Sequence, residues 1–204
     1  MSAATPEWDR LTGVSAMVDV LRGQEGIDDD DEIHDLKPLA GDALPEWVRR
    51  LGTQEGWRTL HGEAVLTRVA GAHPDGSCAA SETLSVFGYT GYAYFDDLVS
   101  NAACTLRGLG ADQVTSRVLR LPPVKWAVAV RAEGVATLGG RRMWLRQNNY
   151  LAGSMQTDAG RLIVHTVMVE DAVRQHRAED VAILCDAVHE GFFASLNPSG
   201  AQNR

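Results

Sequence analysis

The chain has 204 residues, of which 45% are hydrophobic and 23% charged. That is ordinary globular composition, with enough length to bury one core. No apolar run reaches the ~20 residues that cross a bilayer, and MSAATPEWDRL lacks a basic n-region and an apolar h-region, so no membrane insertion and a cytoplasmic location are expected. The net charge of −8 is local: seven of the 27 acids (Glu25, Asp28, Asp29, Asp30, Asp31, Glu32 and Asp35) fall in one stretch free of Lys and Arg, leaving 20 against 19 bases elsewhere. Such a run repels itself and favours an extended, solvated segment.

Thr5-Pro6-Glu7 opens a helix with a hydroxyl cap, a proline at the first helical position and an acid in the first turn. Trp8, Leu11, Val14, Val18 and Leu21 then recur at roughly helical spacing, as one amphipathic helix or two short ones broken near Gly13, until Gly23 and Gly26, where the acidic stretch begins. Leu44-Pro45-Glu46 starts a short second helix that Gly52 stops. Strands are expected at 64–70 and 83–88, a hairpin whose long tip is AGAHPDGSCAAS. Phe95, Leu98, Ala102 and Leu106 predict a helix over 95–109, with Asp96 and Asp97 early and Arg107 late, as the helix dipole prefers. A strand at 114–121 ends at Pro122-Pro123.

The stretch 124–196 organises the rest. VKWAVAVRA, RMWLRQNNYLAG and RLIVHTVMVED alternate as strands, and EDVAILCDAVHEGFFASL has the stripe Val181, Leu184, Cys185, Val188 and Phe192 of an amphipathic helix. One strand face collects Trp126, Val128, Val130, Met143, Leu145, Leu151, Leu162, Val164 and Met168, which predicts a core that the last helix closes. The other collects Lys125, Arg131, Arg142, Trp144, Arg146, Asn148 and Tyr150, while Ile163, His165, Val167 and Val169 make the third strand apolar on both sides and therefore central. The expected fold is α+β: an antiparallel sheet with helices packed on it, in a single domain with an N-terminal helical arm. Residues 1–40 form the helical arm and acidic linker, 41–196 the α+β domain and 197–204 a tail.

That order (hairpin, helix, strand, three antiparallel strands and a closing helix) resembles the PsbP-like fold over 60–196. The local run is similar too: LRGLG ending a helix, a strand, GRRMWLRQNNYLAGS, a turn, RLIVHTVMV and a last helix. The superfamily includes the photosystem II extrinsic subunit P, Mog-type Ran-binding proteins, DcrB-like proteins and actinobacterial LpqN-type lipoproteins. The resemblance implies an αβα sandwich with a binding or scaffolding role, and carries over no functional residue. The chain departs from the LpqN-type branch in showing no lipobox cysteine.

No catalytic, cofactor or metal motif survives inspection. His189-Glu190 begins like HExxH, but Phe193 stands where the second histidine belongs. GVSAM lacks the closing glycine of a nucleophile elbow, and GLGADQ ends a helix where a dinucleotide loop opens one. DDDDE lacks the glycine and spaced glutamate of a calcium loop. Cys78, Cys104 and Cys185 are odd in number and unpaired in sequence, so they are expected to be reduced, mostly buried thiols. Arg142, Trp144, Arg146 and Tyr150 interleave bases and aromatics as single-strand binders do, but the acidic chain weighs against nucleic acid. The competing reading is a packed face with snorkelling arginine stems. His165 reads as a core histidine with a hydrogen-bond partner, the alternative being a ligand contact.

The sequence therefore predicts a non-catalytic binding or adaptor protein within a larger assembly. Its partner is expected to be a protein, met at Lys125, Arg131, Arg142, Trp144, Arg146 and Tyr150. The alternative is a small-molecule-binding domain or enzyme with a pocket near Tyr94, Trp144 and His165.

Overall fold

The computed structural model describes residues 16–22, 33–60, 62, 64–121, 124, 126–153 and 160–196. Their helices are α1 (Ala16–Arg22), α2 (Glu46–Arg49), α3 (Phe95–Ser100), α4 (Cys104–Gly108) and α5 (Ala178–Ser195). The strands are β1 (His34–Pro38), β2 (Trp57–Leu60), β3 (Val65–Ala72), β4 (Cys78–Thr90), β5 (Asp112–Val118), β6 (Ala127–Leu138), β7 (Arg141–Ala152) and β8 (Gly160–Glu170). They form one antiparallel sheet in the order β2-β3-β4-β8-β7-β6-β5. β8 pairs along one edge of β4, so β3 (opposite residues 78–85) and β1 (opposite 87–90) share the other edge end to end.

Period-two alternation gives this sheet two buried faces. On the front face, Met17, Val18 and Leu21 of α1 and Leu98 of α3 pack on Phe87, Val130, Leu151, Leu162 and Val164. Leu106 of α4 packs nearby on Ala132, Met143, Leu145 and Met168. On the back face, Val181, Leu184 and Cys185 of α5 pack on Val135, Trp144, Val167 and Val169, and Val188 and Phe192 pack on Val86, Tyr150 and Ile163. The result is an α+β sandwich with helices on both sides of the sheet. Each of the five α5 side chains removes apolar surface from water, at roughly 1.5–3 kcal/mol apiece before entropy is counted.

β6, β7, β8 and α5 lie where the alternation predicts, and β8 is the central strand. The last helix, however, covers the opposite face to the one expected: α5 lies over Trp144 and Tyr150, and the front face is closed by α1, α3 and α4. Trp126, expected in the core, precedes β6 and is 41% exposed. The helix expected at 95–109 is two short helices with a turn at 101–103, where Asn101 N–H bonds back to Asp97 O and Cys104 N–H to Asn101 O. The hairpin tip is only 73–77; Gly71 tolerates φ +69 and the strand continues on either side.

β1 and β2 are additional strands. The acidic stretch is thus partly structured, because Asp35 and Lys37 sit in β1, with Lys37 opposite Gly88. Asp35 takes φ 55 where β1 shifts register, a bulge that lets the strand join an edge already occupied by β3. The other six acids of that stretch, residues 25–32, lie outside the described residues. α1 is not detached either: Met17 and Leu21 are fully buried.

Candidate functional site

The back face carries a row of polar side chains across six neighbouring strands. Register places Arg68 (β3) opposite Glu82 (β4), His165 (β8) opposite Asn148 (β7), Asn148 opposite Arg131 (β6), and Arg131 opposite Arg117 (β5). Glu82 stands opposite Val167 and reaches His165 on the diagonal. Arg68 NH1 donates to Glu82 Oε2 at 2.9 Å, and the other carboxylate oxygen lies 2.9 Å from His165 Nε2. Asn148 Nδ2 lies 3.1 Å from His165 Nδ1, and Arg131 Nε donates to Asn148 Oδ1 at 2.7 Å. Arg68, Glu82, Asn148 and His165 are all at most 2% exposed.

Donor chemistry orients this chain. A guanidinium only donates, so Asn148 must turn its oxygen to Arg131 and its NH₂ to His165 Nδ1. Nδ1 therefore accepts, and the imidazole proton sits on Nε2, pointing at the Glu82 carboxylate. Glu82 balances Arg68, leaving Arg131 as the uncompensated charge at the far end. Cys185 of α5 closes over the row, with Sγ 3.7 Å from Asn148 Nδ2 and 3.9 Å from Arg146 NH1. Burial pushes this thiol above its ordinary value of 9.0, the nearby Arg146 charge opposing the shift in part. A protonated thiol with no adjacent base is not an activated nucleophile.

The predicted contact residues divide accordingly. Trp144 and Tyr150 are 4% and 0% exposed beneath α5, so neither offers surface to a partner. Trp144 is clasped by two guanidinium groups, Arg146 at 4.9 Å and Arg174 at 4.4 Å from the ring centroid. Tyr150 packs on Phe192 with ring centroids 5.0 Å apart. Arg146 pairs with Glu133 at 2.9 Å, and exposed Arg142 with Asp171 at 3.1 Å. Arg131 is half-buried, and Lys125 lies outside the described residues. Arg142, Arg174 and Arg117 are exposed and Arg146 and Arg131 half-buried, so these five form an arginine margin on this side of the sheet.

The fold shared with one solved protein accounts for this arrangement of layers. The crystal structure of LpqN, involved in cell envelope biogenesis of Mycobacterium tuberculosis, aligns with 85% of this chain and 91% of its own at a TM-score of 0.53 and 15% identity. The two chains are related in fold. No family model matches the sequence, and no curated protein matches it.

Tyr94 does not meet Trp144 and His165. It precedes α3 on the front side, 45% exposed, while the other two are buried on the back face, so the expected pocket is not formed. The front face has a different recess beneath α4, about 550 Å³ including its open mouth, lined by Thr83, Ser85, Leu106, Gln147 and Thr166 among others. Its clear interior is narrow, with room for about two water molecules, far below what a drug-sized ligand occupies. Among the described residues no cluster of His, Cys, Asp and Glu has a metal-holding arrangement.

Sequence reasoning missed Arg68, Glu82 and Asn148 as partners of His165, and Arg117 and Arg174 as members of the margin. A signal for the first pair was present. Centring the hairpin tip on Asp75 sets Arg68 directly across from Glu82, an opposite-charge cross-strand pair.

Proposed function

We propose that this chain is a non-catalytic binding protein, an adaptor that joins a larger assembly through the arginine margin of its back face. The observation that supports the reading is that Arg131, Arg142 and Arg146 share the back face of the sheet with Arg117 opposite Arg131 and Arg174 over Trp144, in a chain of net charge −8. Neither Arg117 nor Arg174 has an acid within ion-pair distance among the described residues. Arginine forks match carboxylates in geometry and are favoured at interface hot spots. The partner we infer is a protein with an acidic segment. Nucleic acid is disfavoured because the aromatic rings that would stack on bases are packed under the helix, and because the chain as a whole carries a net charge of −8. The place of action we propose is the cytosol, where the free thiols of Cys78, Cys104 and Cys185 stay reduced.

The test is capture of partners from the native host with the full chain and with an Arg142→Glu/Arg174→Glu variant. Both arginines are exposed, so the variant folds, its melting temperature lowered only modestly by loss of the Arg174–Trp144 contact and the Arg142–Asp171 pair. We expect a partner captured at low salt to be lost from the variant and to weaken in wild type as salt rises. A partner retained undiminished by the charge-reversed chain would place the interface elsewhere.

A further inference from the structure

Among the described residues β5 is an end strand of the sheet, with β6 on one side and no strand on the other. Six of its seven residues are exposed, Val118 to 57%. Natural sheet edges are commonly guarded by bulges and prolines. Here Gln113 takes φ 55 where the pairing with β6 shifts register, and Pro122-Pro123 carry no N–H to donate. Between those guards, residues 115–119 leave an open edge about 16 Å long.

The ladder fixes which backbone groups line that edge. Leu119 N–H donates to Ala129 O at 2.8 Å, while Arg117 stands opposite Arg131 and Thr115 opposite Glu133. In an antiparallel pair, residues that bond across alternate with residues that do not. Thr115, Arg117 and Leu119 therefore turn their N–H and C=O to β6. Ser116 and Val118 turn theirs to the open side, where the described residues supply no partner strand.

The side chains say what kind of strand fits. Arg117 and Arg131 are like charges directly across a strand pair, an arrangement that repels. Elsewhere on the back face the arginines have acids: Arg68 has Glu82, Arg146 has Glu133 and Arg142 has Asp171. Arg117, and exposed Arg120 beyond it, have no acid within ion-pair distance among the described residues. A strand laid along β5 would sit about 4.8 Å away and carry one side chain across from Arg117 on the same face. A carboxylate in that place offsets the repulsion. Val118 is opposite Val130 and faces the front, so the adjoining residue of the added strand meets an exposed apolar side chain. A second copy of this chain fits poorly, because the centred antiparallel register sets Arg117 against Arg117.

We propose that the open edge of β5 is a strand-addition site, which takes an extended acidic segment of a protein partner whose acids alternate with apolar residues. The inference rests on the partner reading above and deepens it by naming the contact. Main-chain bonds to Ser116 and Val118 supply affinity, and the charge at Arg117 selects the segment.

The probe is a short synthetic peptide of alternating glutamate and valine, titrated into the isotope-labelled full chain and followed by NMR. One control peptide has lysine for glutamate. Another is methylated at the valine nitrogens, those that face β5 when glutamate stands opposite Arg117. The first peptide should shift the Ser116 and Val118 amides saturably and slow their hydrogen exchange at least tenfold, and both controls should bind at least tenfold more weakly. Val118→Pro removes one outward N–H at an edge position that tolerates proline, so it should fold and lose at least tenfold in peptide affinity. Arg117→Glu, an exposed substitution that removes the repulsion with Arg131, should prefer the lysine peptide. Unchanged exchange at Ser116 and Val118 under saturating peptide overturns the site, as does equal binding by the methylated peptide, which would leave charge alone at work. Protection of the same amides by concentration-dependent self-association without peptide also overturns it, with a second copy as the occupant. Partner capture separates the two readings. A host partner lost from Arg142→Glu/Arg174→Glu but retained by Val118→Pro keeps the adaptor reading and overturns the edge as its contact. If the peptide adds to β5 while no partner depends on the margin, the strand-addition site stands and the adaptor reading falls.

Discussion

Gly191 shows how one hydrogen atom can outweigh helix propensity. In the middle of an exposed helix, Gly→Ala stabilises by about 1 kcal/mol. Here a Cβ at 191 would lie 2.3 Å from Trp47 Cε3 on α2, so the indole of a half-buried tryptophan must move. Overpacking of that kind costs about 1–3 kcal/mol, which exceeds the propensity gain. Gly191→Ala should therefore lower the urea midpoint, and adding Trp47→Leu should recover part of the loss; additive effects in that cycle would show that the two do not touch. The buried ion pair obeys a similar comparison. Glu82→Gln leaves the Arg68 charge at 2% exposure without its counter-ion and is expected to cost about 3–5 kcal/mol. Arg68→Met/Glu82→Leu removes both charges and should cost less, about the 1–3 kcal/mol of leaving His165 Nε2 unpaired. Chemical denaturation of the two variants ranks them, and a double variant as unstable as the single one would contradict the charge argument.

At the scale of elements, the long strands and α5 were legible because eleven or more residues of alternation, or eighteen of helical spacing, average out local exceptions. β1 and β2, at five and four residues, are too short for period two to declare itself, and their pairing is decided by where β4 leaves an open edge. The helix at 95–109 was legible in its apolar face but not in its break. The face that α5 covers was not legible either. β8 is apolar on both sides, and alternation tells which residues share a face but not which helix will lie on it. The polar row was hidden for a related reason: Arg68, Glu82, Asn148 and His165 come from four strands that only register aligns. The position of α5 has a chemical readout. Burial pushes the thiols of Cys78, Cys104 and Cys185 above their ordinary value, and Cys185 is the most enclosed at 1% exposure. In iodoacetamide labelling followed by mass spectrometry, Cys185 should react last, and only as fast as α5 undocks. The sign with pH follows. A thiol raised in the folded state keeps its stabilising difference below the unfolded value of 9.0 and loses it as pH rises through the folded one. Alkaline unfolding above pH 9 should therefore be delayed in Cys185→Ala relative to its own neutral-pH stability. A parallel decline in both proteins would show that Cys185 is not enclosed.

For the whole molecule, the consequence of two covered faces is that the amino-terminal helix belongs to the cooperative unit. α5 closes the back face, but the front face of β4, β8, β7 and β6 depends on α1 as well as α3 and α4, since Met17, Val18 and Leu21 share one cluster with Phe87, Leu98, Leu151 and Leu162. Three such side chains, fully buried, are together worth about 4–9 kcal/mol of transfer free energy as an upper estimate. Domains of this size are stable by only about 5–15 kcal/mol. The first number is comparable with the second, so deleting residues 1–22 should do more than trim an appendage. It exposes Phe87 and Leu162 and leaves the chain marginal or unfolded at 25 °C. The expected observation is a melt that is broadened or lost, with dye binding by the exposed front face, while Leu21→Ala alone lowers the melting temperature of an otherwise cooperative transition by the equivalent of about 2–5 kcal/mol. The arginine margin on the other side of the sheet offers a contrasting control, because Arg117→Gln removes a repulsion at an exposed edge and should leave the transition sharp. A truncated chain that melts cooperatively within a degree or two of the full one would mean that α3 and α4 suffice to close the front face, and that the buried residues of α1 contribute little to holding the sheet.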